Sequence, residues 1–244
     1  QLLLDGGAMF GVVPKVLWER KCPADDRNRI LLGLHCLIIE GDGFRALVDT
    51  GVGDKGDEEF AEIYGLEKSG ALLDALAAKG LMPADFTHVI NTHLHFDHAG
   101  GDTFVDAEGR VAPSFPRARY VVQKGEFDFA HGGNERVRAS YLARNFDPIA
   151  EAGLWDFVEG PAQVTEGIRV VPSPGHTPFH QSVLIESEGR TACYLADVCP
   201  TAAHVPLPWI MGYDLEPLVT LESKRGLWTQ AREEDWLLVF EHDP

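Results

Sequence analysis

Cations are scarce in this chain: Lys plus Arg number 21 against 38 Asp plus Glu, a formal net charge of −17. Such a field repels polyphosphate backbones, which argues against nucleic acid as a partner. Divalent cations bound at a site would cancel several of those charges locally. Cysteine is also sparse. Cys22, Cys36, Cys193 and Cys199 form no C-x-x-C pair, which excludes a zinc knuckle and a dithiol redox motif. Most are expected reduced and buried, with Cys36 and Cys193 serving as small hydrophobes in strands. No apolar run approaches the length of a membrane span. Gln1-Leu2-Leu3-Leu4-Asp5 is too short for a signal-peptide core, so a cytoplasmic protein is expected, with a removed signal left open because residue 1 is not Met. There is no fixed-period repeat and no linker-like tract. With 45% apolar and 24% charged residues over 244 positions, the expectation is one globular domain, residues 1–244.

What is present is a set of strand and helix signals punctuated by turns. Leu31–Glu40 reads as a buried strand, and Gly41-Asp42-Gly43 turns it into Phe44–Val48, ending at Asp49-Thr50-Gly51. Asp54–Glu59 is an acidic loop entering a short helix. Gly70–Gly80 has a leucine face and a Lys-Gly terminus, hence a helix that Pro83 cannot extend. Phe86–Ile90 is a short strand. Val105–Pro116 is an excursion rich in turn formers, and Ala118–Val122 returns to strand. Lys124–His131 and Glu135–Arg144 read as surface helices, with His131 a helix-end residue. Trp155–Val158, Val164–Val171, Gln181–Ile185, Thr191–Ala196 and Asp235–Phe240 read as strands.

The chemistry concentrates where the third strand ends. His93, His95, Asp97 and His98 put three imidazoles and a carboxylate into six residues, a density of desolvation-sensitive groups that calls for positive compensation. In an extended segment His93, His95 and Asp97 share a face while His98 turns to a neighbouring point. One metal would not need all four, so a metal pair is expected. A polar turn with solvated histidines is the alternative.

This His93-x-His95-x-Asp97-His98 segment, inside Thr92–Gly101, resembles the signature of the metallo-β-lactamase superfamily. The resemblance implies an α/β (α+β) four-layer αββα sandwich, its halves running from Leu31 to Val122 and from Gly153 to Phe240. It also implies further ligands. His176 lies in the turn Ser173-Pro174-Gly175-His176-Thr177-Pro178, Asp197 is the carboxylate bridging two metals, and His242 is the last ligand. His93, His95 and His176 would hold one ion and Asp97, His98 and His242 the other, with Asp197 shared. Asp97 and Asp197 are also the candidate catalytic carboxylates. Asp49 is implied as a support beside the metals, with a turn-capping aspartate the alternative. His180 reads as a structural donor, preceded by Phe179 where the family usually has glycine.

Two divalent ions are the implied cofactors, zinc first and manganese, iron or cobalt as alternatives for a carboxylate bridge. Such a pair lowers the pKa of a bridging water from about 15.7 toward neutrality, giving a hydroxide nucleophile. The closest branch is that of acyl-homoserine lactonases and methyl-parathion-hydrolase-like enzymes, carried also by Ser173–Ser182 and Leu195–His204. Where well-known lactonases of that branch carry a tyrosine three residues after the bridging aspartate, this chain has Pro200. Tyr213 and His204 are candidate substitutes.

Phe96, Phe179, Val205, Leu207, Trp209, Ile210 and Met211 suggest an apolar small-molecule pocket, with core packing the alternative. No Lys/Arg cluster accompanies them. The expectation is a di-metal hydrolase of lactones, esters or related partly hydrophobic small molecules. Organophosphate triester hydrolysis, a mononuclear iron oxygenase of the persulfide dioxygenase type, and a fold member that only binds a ligand are the competing readings. Oligomeric state is open.

Overall fold

In a computed structural model, which describes residues 1–66 and 71–244, the chain is mixed α/β and divides into two compact units. Gly70, the first residue of the expected helix, lies outside the described residues, and the helix is seen over Ala71–Ala78.

One unit is built on Cys36–Ala61 and, among the described residues, 71–159. Its sheet has the order Leu37–Gly41, Phe44–Val48, His88–Ile90, Arg119–Gln123, Trp155–Val158. The first pair is the antiparallel hairpin expected at Gly41-Asp42-Gly43, and the remaining pairs are parallel. Leu47, Val89, Tyr120, Val121 and Val122 are buried, as the parallel core strands of an α/β sheet must be. Val48 pairs with Ile90 and Ile90 with Val121, so Asp49 and Asn91 leave the sheet side by side at one edge.

The other unit is built on Gln1–His35 and Gly160–Pro244. Its sheet runs Ala162–Thr165, Ile168–Pro172, Gln181–Ser187, Arg190–Tyr194, Leu237–Val239, antiparallel except for the last pair. That parallel pair aligns Tyr194 with Val239. Asp197 and His242 each come three residues later, so equal register carries both off the same end of the sheet. The helix Pro217–Glu233 opens with proline at its start and buries Thr220, Lys224 and Leu227, one face at i, i+4 and i+7. Leu227 joins Leu184, Cys193, Leu195, Val198 and Trp236 in the core.

Four expectations are corrected. Leu31–Glu40 is not one strand: Arg29–Leu32 pairs with Leu2–Asp5, and Leu37–Gly41 joins the other unit's sheet. Val164–Val171 is a hairpin folded at Glu166-Gly167, with Gly167 at φ 74°. Glu135–Arg144 is turns and a final short 3₁₀ segment, Ala143–Asn145, rather than a helix. Part of the excursion after Gly101 is ordered, pairing Thr103–Val105 with Val111–Pro113. No described helix is long and apolar enough to cross a membrane. None of the four cysteines forms a disulfide; Cys193 and Cys199 are buried, and desolvation pushes both thiols up to about 12.

Candidate metal centre

In the first unit the ligand segment is extended only through His95. A short helix, Phe96–Ala99, then carries Asp97 and His98, so the expected alternation of faces gives way to a helical turn. All four residues are at most 8% exposed. The His93 ring centroid lies 4.5 Å from that of His95 and 4.0 Å from that of His98, and Asp97 Oδ2 is 4.0 Å from His98 Nε2.

Their orientation is set by where the protons must lie. Asp49, strained at φ 52°, accepts from Thr92 N (2.8 Å), from the Thr92 hydroxyl (2.7 Å) and from His98 Nδ1 (3.0 Å). Because the Thr92 hydroxyl donates to Asp49, His93 Nδ1, 3.1 Å from that hydroxyl, must be the donor there. His93 and His98 therefore both carry hydrogen on Nδ1, and the neutral ring of each presents Nε2 as a lone pair. Asp49 thus orients His98 directly and His93 through Thr92. Glu126, fully buried, accepts from the amide of Leu94 (3.1 Å), between His93 and His95, and from the Tyr141 hydroxyl (2.7 Å). The Tyr141 ring meets His95 edge-on at 4.7 Å. Glu126 and Tyr141 were missed by sequence reasoning, since each lies far along the chain with no motif of its own.

Residues 49–55 clamp the ligand turn from outside. A Cβ on Gly100 would lie 2.0 Å from Val52 O, so only glycine permits this approach. Lys55 Nζ donates to the carbonyls of Gly100 and Thr103, and its desolvation lowers its pKa to about 8.

In the second unit His176, Asp197 and His242 come from three separate segments. Asp197 Oδ2 is 3.1 Å from His176 Nε2 and Asp197 Oδ1 is 3.2 Å from His242 Nε2. His176 Nδ1 faces Asp214 Oδ1 at 3.0 Å and His242 Nδ1 faces the Gly33 carbonyl at 2.8 Å, both acceptors, so each Nδ1 carries the hydrogen. If neutral, each Nε2 is then a lone pair aimed at a carboxylate oxygen. At such distances either a proton on Nε2 or a cation between the two groups satisfies the pair, and the donor set of imidazole nitrogens and a carboxylate with a histidine at each oxygen fits a metal.

Asp214 is another group that sequence reasoning missed. It sits just before the helix Pro217–Glu233, whose start also holds the His176 turn: Glu216 N donates to Gly175 O (2.9 Å) and Leu215 N to His176 O (3.2 Å). Gly175, at φ 132°, would place a Cβ 2.3 Å from Thr220 N. His180 is not aimed as a ligand. Its Nε2 accepts from the amide of Asp197 at 3.2 Å and its Nδ1 contacts Ser173 Oγ at 2.8 Å, so it is an acceptor toward Asp197 and a donor toward Ser173.

His204, a candidate for the missing tyrosine's role, is committed elsewhere. Its ring nitrogens meet Thr201 Oγ1 and Met9 O, its ring stacks on Phe10 at 4.5 Å, and burial lowers its pKa to about 4. Tyr213 is 42% exposed, adjacent to Asp214. Of the expected apolar pocket, Met211 and Trp209 belong to the core around Phe10, Phe96 is buried edge-on to Phe60, and Phe179 and Val205 are exposed. His131, bonded to Phe127 O and Asp147, caps its helix as expected.

Residues 31–240 match the family described as the metallo-beta-lactamase superfamily. An N-acyl homoserine lactonase of Rhizobium radiobacter is 30% identical over 187 residues, covering 73% of this chain and 66% of that protein, so the chain spans just under two thirds of that relative. An N-acyl homoserine lactonase of Bacillus cereus is 30% identical over 229 residues, 88% of this chain and 83% of its own. Among solved structures, a "probable metal-dependent hydrolase" of Staphylococcus aureus superposes with a TM-score of 0.92 at 32% identity, covering 99% of this chain and 86% of that one.

Proposed function

Since the chain belongs to the metallo-β-lactamase superfamily, whose fold it shares, we propose that it is a binuclear metal-dependent hydrolase of lactones and related esters. N-acyl homoserine lactones are the first substrates to test, because two relatives bear that activity in their names. The observation that carries the reading is Asp197, with the Nε2 of one histidine at each carboxylate oxygen and the Nδ1 of each histidine held by an acceptor. In this reading the chain works as one domain. His93, His95 and His176 hold one ion, Asp97, His98 and His242 the other, and Asp197 is shared.

The metals would supply an activated water and polarise the substrate carbonyl. The protein's own part is orientation and proton handling. Asp49, Thr92, Asp214 and Gly33 O hold the Nδ1 hydrogens of His93, His98, His176 and His242, leaving the Nε2 of each for a metal without reorganisation. Ring opening adds hydroxide to the acyl carbon and breaks the acyl–oxygen bond, and the departing alkoxide needs a proton. Asp97, buried beside His98, is the carboxylate assigned to carry it. No Lys/Arg cluster accompanies these residues in the sequence, which favours neutral acyl or alkyl lactones and aryl esters, with phosphotriesters as a secondary activity.

A panel of long- and short-chain lactones, aryl acetates, a phosphotriester, a phosphodiester, a β-lactam and a glutathione thioester tests this with metal-replete protein. The expected result is the highest kcat/KM on a lactone. A diester or glutathione thioester as the best substrate would contradict the substrate class, and oxygen consumption with one iron per chain would replace the reaction class.

A further inference from the structure

We infer that Asp102 is held as a neutral carboxylic acid and positions the backbone of His98 through the Thr50 hydroxyl. That hydroxyl lies 3.0 Å from the His98 carbonyl oxygen and 3.0 Å from Asp102 Oδ1. It has one proton to give, and a carbonyl can only accept. If the proton went to an ionised Asp102, Thr50 Oγ1 and His98 O would face each other as bare oxygens in a fully buried place. With a proton on Asp102, both distances become hydrogen bonds: Asp102 donates to Thr50, and Thr50 donates to His98 O. The amide of Thr50 bonds the same carbonyl at 2.7 Å, so the relay completes a two-point grip on the residue whose ring Asp49 orients.

The surroundings agree. Asp102 is wholly buried, and its Oδ1 receives one further donor, Asn91 Nδ2 at 3.2 Å. Its Oδ2 has no hydrogen-bond partner among the described residues. An ionised carboxylate there would lack the donors that buried charges require. The nearby cation, Lys55, commits its ammonium to the carbonyls of Gly100 and Thr103. Burial raises the Asp102 carboxyl well above its ordinary range against the pull of Asn91 and Thr50; Asp49 adds to the rise and Lys55 opposes it. Asn91, Thr50, Asp49 and Lys55 act on the carboxyl, and the Tyr120 hydroxyl faces the same residue, donating to the Asp102 backbone carbonyl at 3.1 Å.

The test has three arms, and only the last depends on the proposed hydrolase activity. In infrared spectra at pH 7 the wild type should show the carbonyl stretch of a protonated carboxyl that is missing in Asp102→Asn. In thermal melts the stability of Asp102→Asn relative to wild type should grow as pH rises from about 4 to about 8. The sign comes from linkage: above the ordinary carboxylate pKa the unfolded chain releases a proton that the folded chain keeps, so wild-type stability falls with pH in that window, and asparagine has no proton to release. Thr50→Val should weaken metal retention and kcat by roughly tenfold, the low end for outer-shell partners, while Thr50→Ser restores both. Should Asp102→Asn fail to fold, carboxyl-carbon NMR of aspartate-labelled wild type decides, with one buried carboxyl still protonated at pH 7. Absence of a protonated carboxyl at pH 7, a melting difference that stays flat or shrinks with pH, or an unaffected Thr50→Val protein would each overturn the assignment. Loss of lactone hydrolysis alone, with the infrared and melting results intact, would instead count against the proposed function.

Discussion

The two units supply their candidate ligands in opposite ways. One packs His93, His95, Asp97 and His98 into a single turn, and its long-range contacts lie in the supports: Asp49 and Glu126 arrive from other parts of the chain to orient that turn. The other draws His176, Asp197 and His242 from three separate segments, two of them brought to one edge by equal register on parallel strands. The outcome at the imidazoles is the same. In His93, His98, His176 and His242 alike, Nδ1 is occupied by an acceptor and Nε2 is left for the site. A contiguous motif and a dispersed one thus converge on one rule, that the second ring nitrogen is where the protein exerts its control.

That convergence is broken most severely at Asp197, because it contacts both dispersed histidines. Asp197→Ala should lower kcat on the order of a thousandfold, several kcal/mol of metal-borne stabilisation at about 1.4 kcal/mol per decade, and should also weaken metal retention. Cys199→Ala nearby should do neither. Parallel kinetics and elemental analysis of the two variants check this, and full activity in Asp197→Ala would remove the bridge assignment.

Next come the orienting carboxylates, one from each unit. Asp49→Asn and Asp214→Asn should each cost about 10- to 100-fold in metal affinity, measured by competition with a chelator. Asp49 should cost more, since it serves both His93, through Thr92, and His98, whereas Asp214 serves His176 alone. Equal effects would mean that the relay through Thr92 contributes nothing.

A smaller, purely structural effect is expected in the second unit. Lys224 is buried and its Nζ donates to the carbonyls of His204 (2.6 Å), Trp209 (2.9 Å) and Pro206 (3.0 Å), while desolvation lowers its pKa. Lys224→Met should destabilise by about 1–3 kcal/mol per carbonyl left unpaired, read by denaturant unfolding, with metal affinity little changed. His204, beside it, gives the pH dependence. Its folded pKa of about 4 lies below the ordinary 6.5, so the unfolded chain takes up a proton first, and stability should fall as pH drops from about 6.5 to about 4. Melting curves across that window, flattened in His204→Gln, check the sign.

Legibility in the sequence divides along the same line. The contiguous motif was readable because its ligands sit in six residues after an apolar strand. His176, Asp197 and His242 were readable only through the resemblance, since a lone histidine or aspartate after a strand has no spacing to read. Asp214, Glu126 and Tyr141 left no signal, because their roles depend on tertiary proximity alone. The helix Pro217–Glu233 escaped for a related reason: its buried face includes Thr220 and Lys224, polar residues that interrupt the apolar period on which such a reading depends. Leu31–Glu40 misled in the opposite sense, its apolar run hiding a crossing from one unit to the other at His35 and Cys36.

The metal content of the purified protein tests the shared centre most directly. Elemental analysis should find close to two transition-metal ions per chain in the wild type and a clear fall in Asp197→Ala. One ion per chain in the wild type, unchanged by loss of Asp197, would contradict a shared binuclear centre.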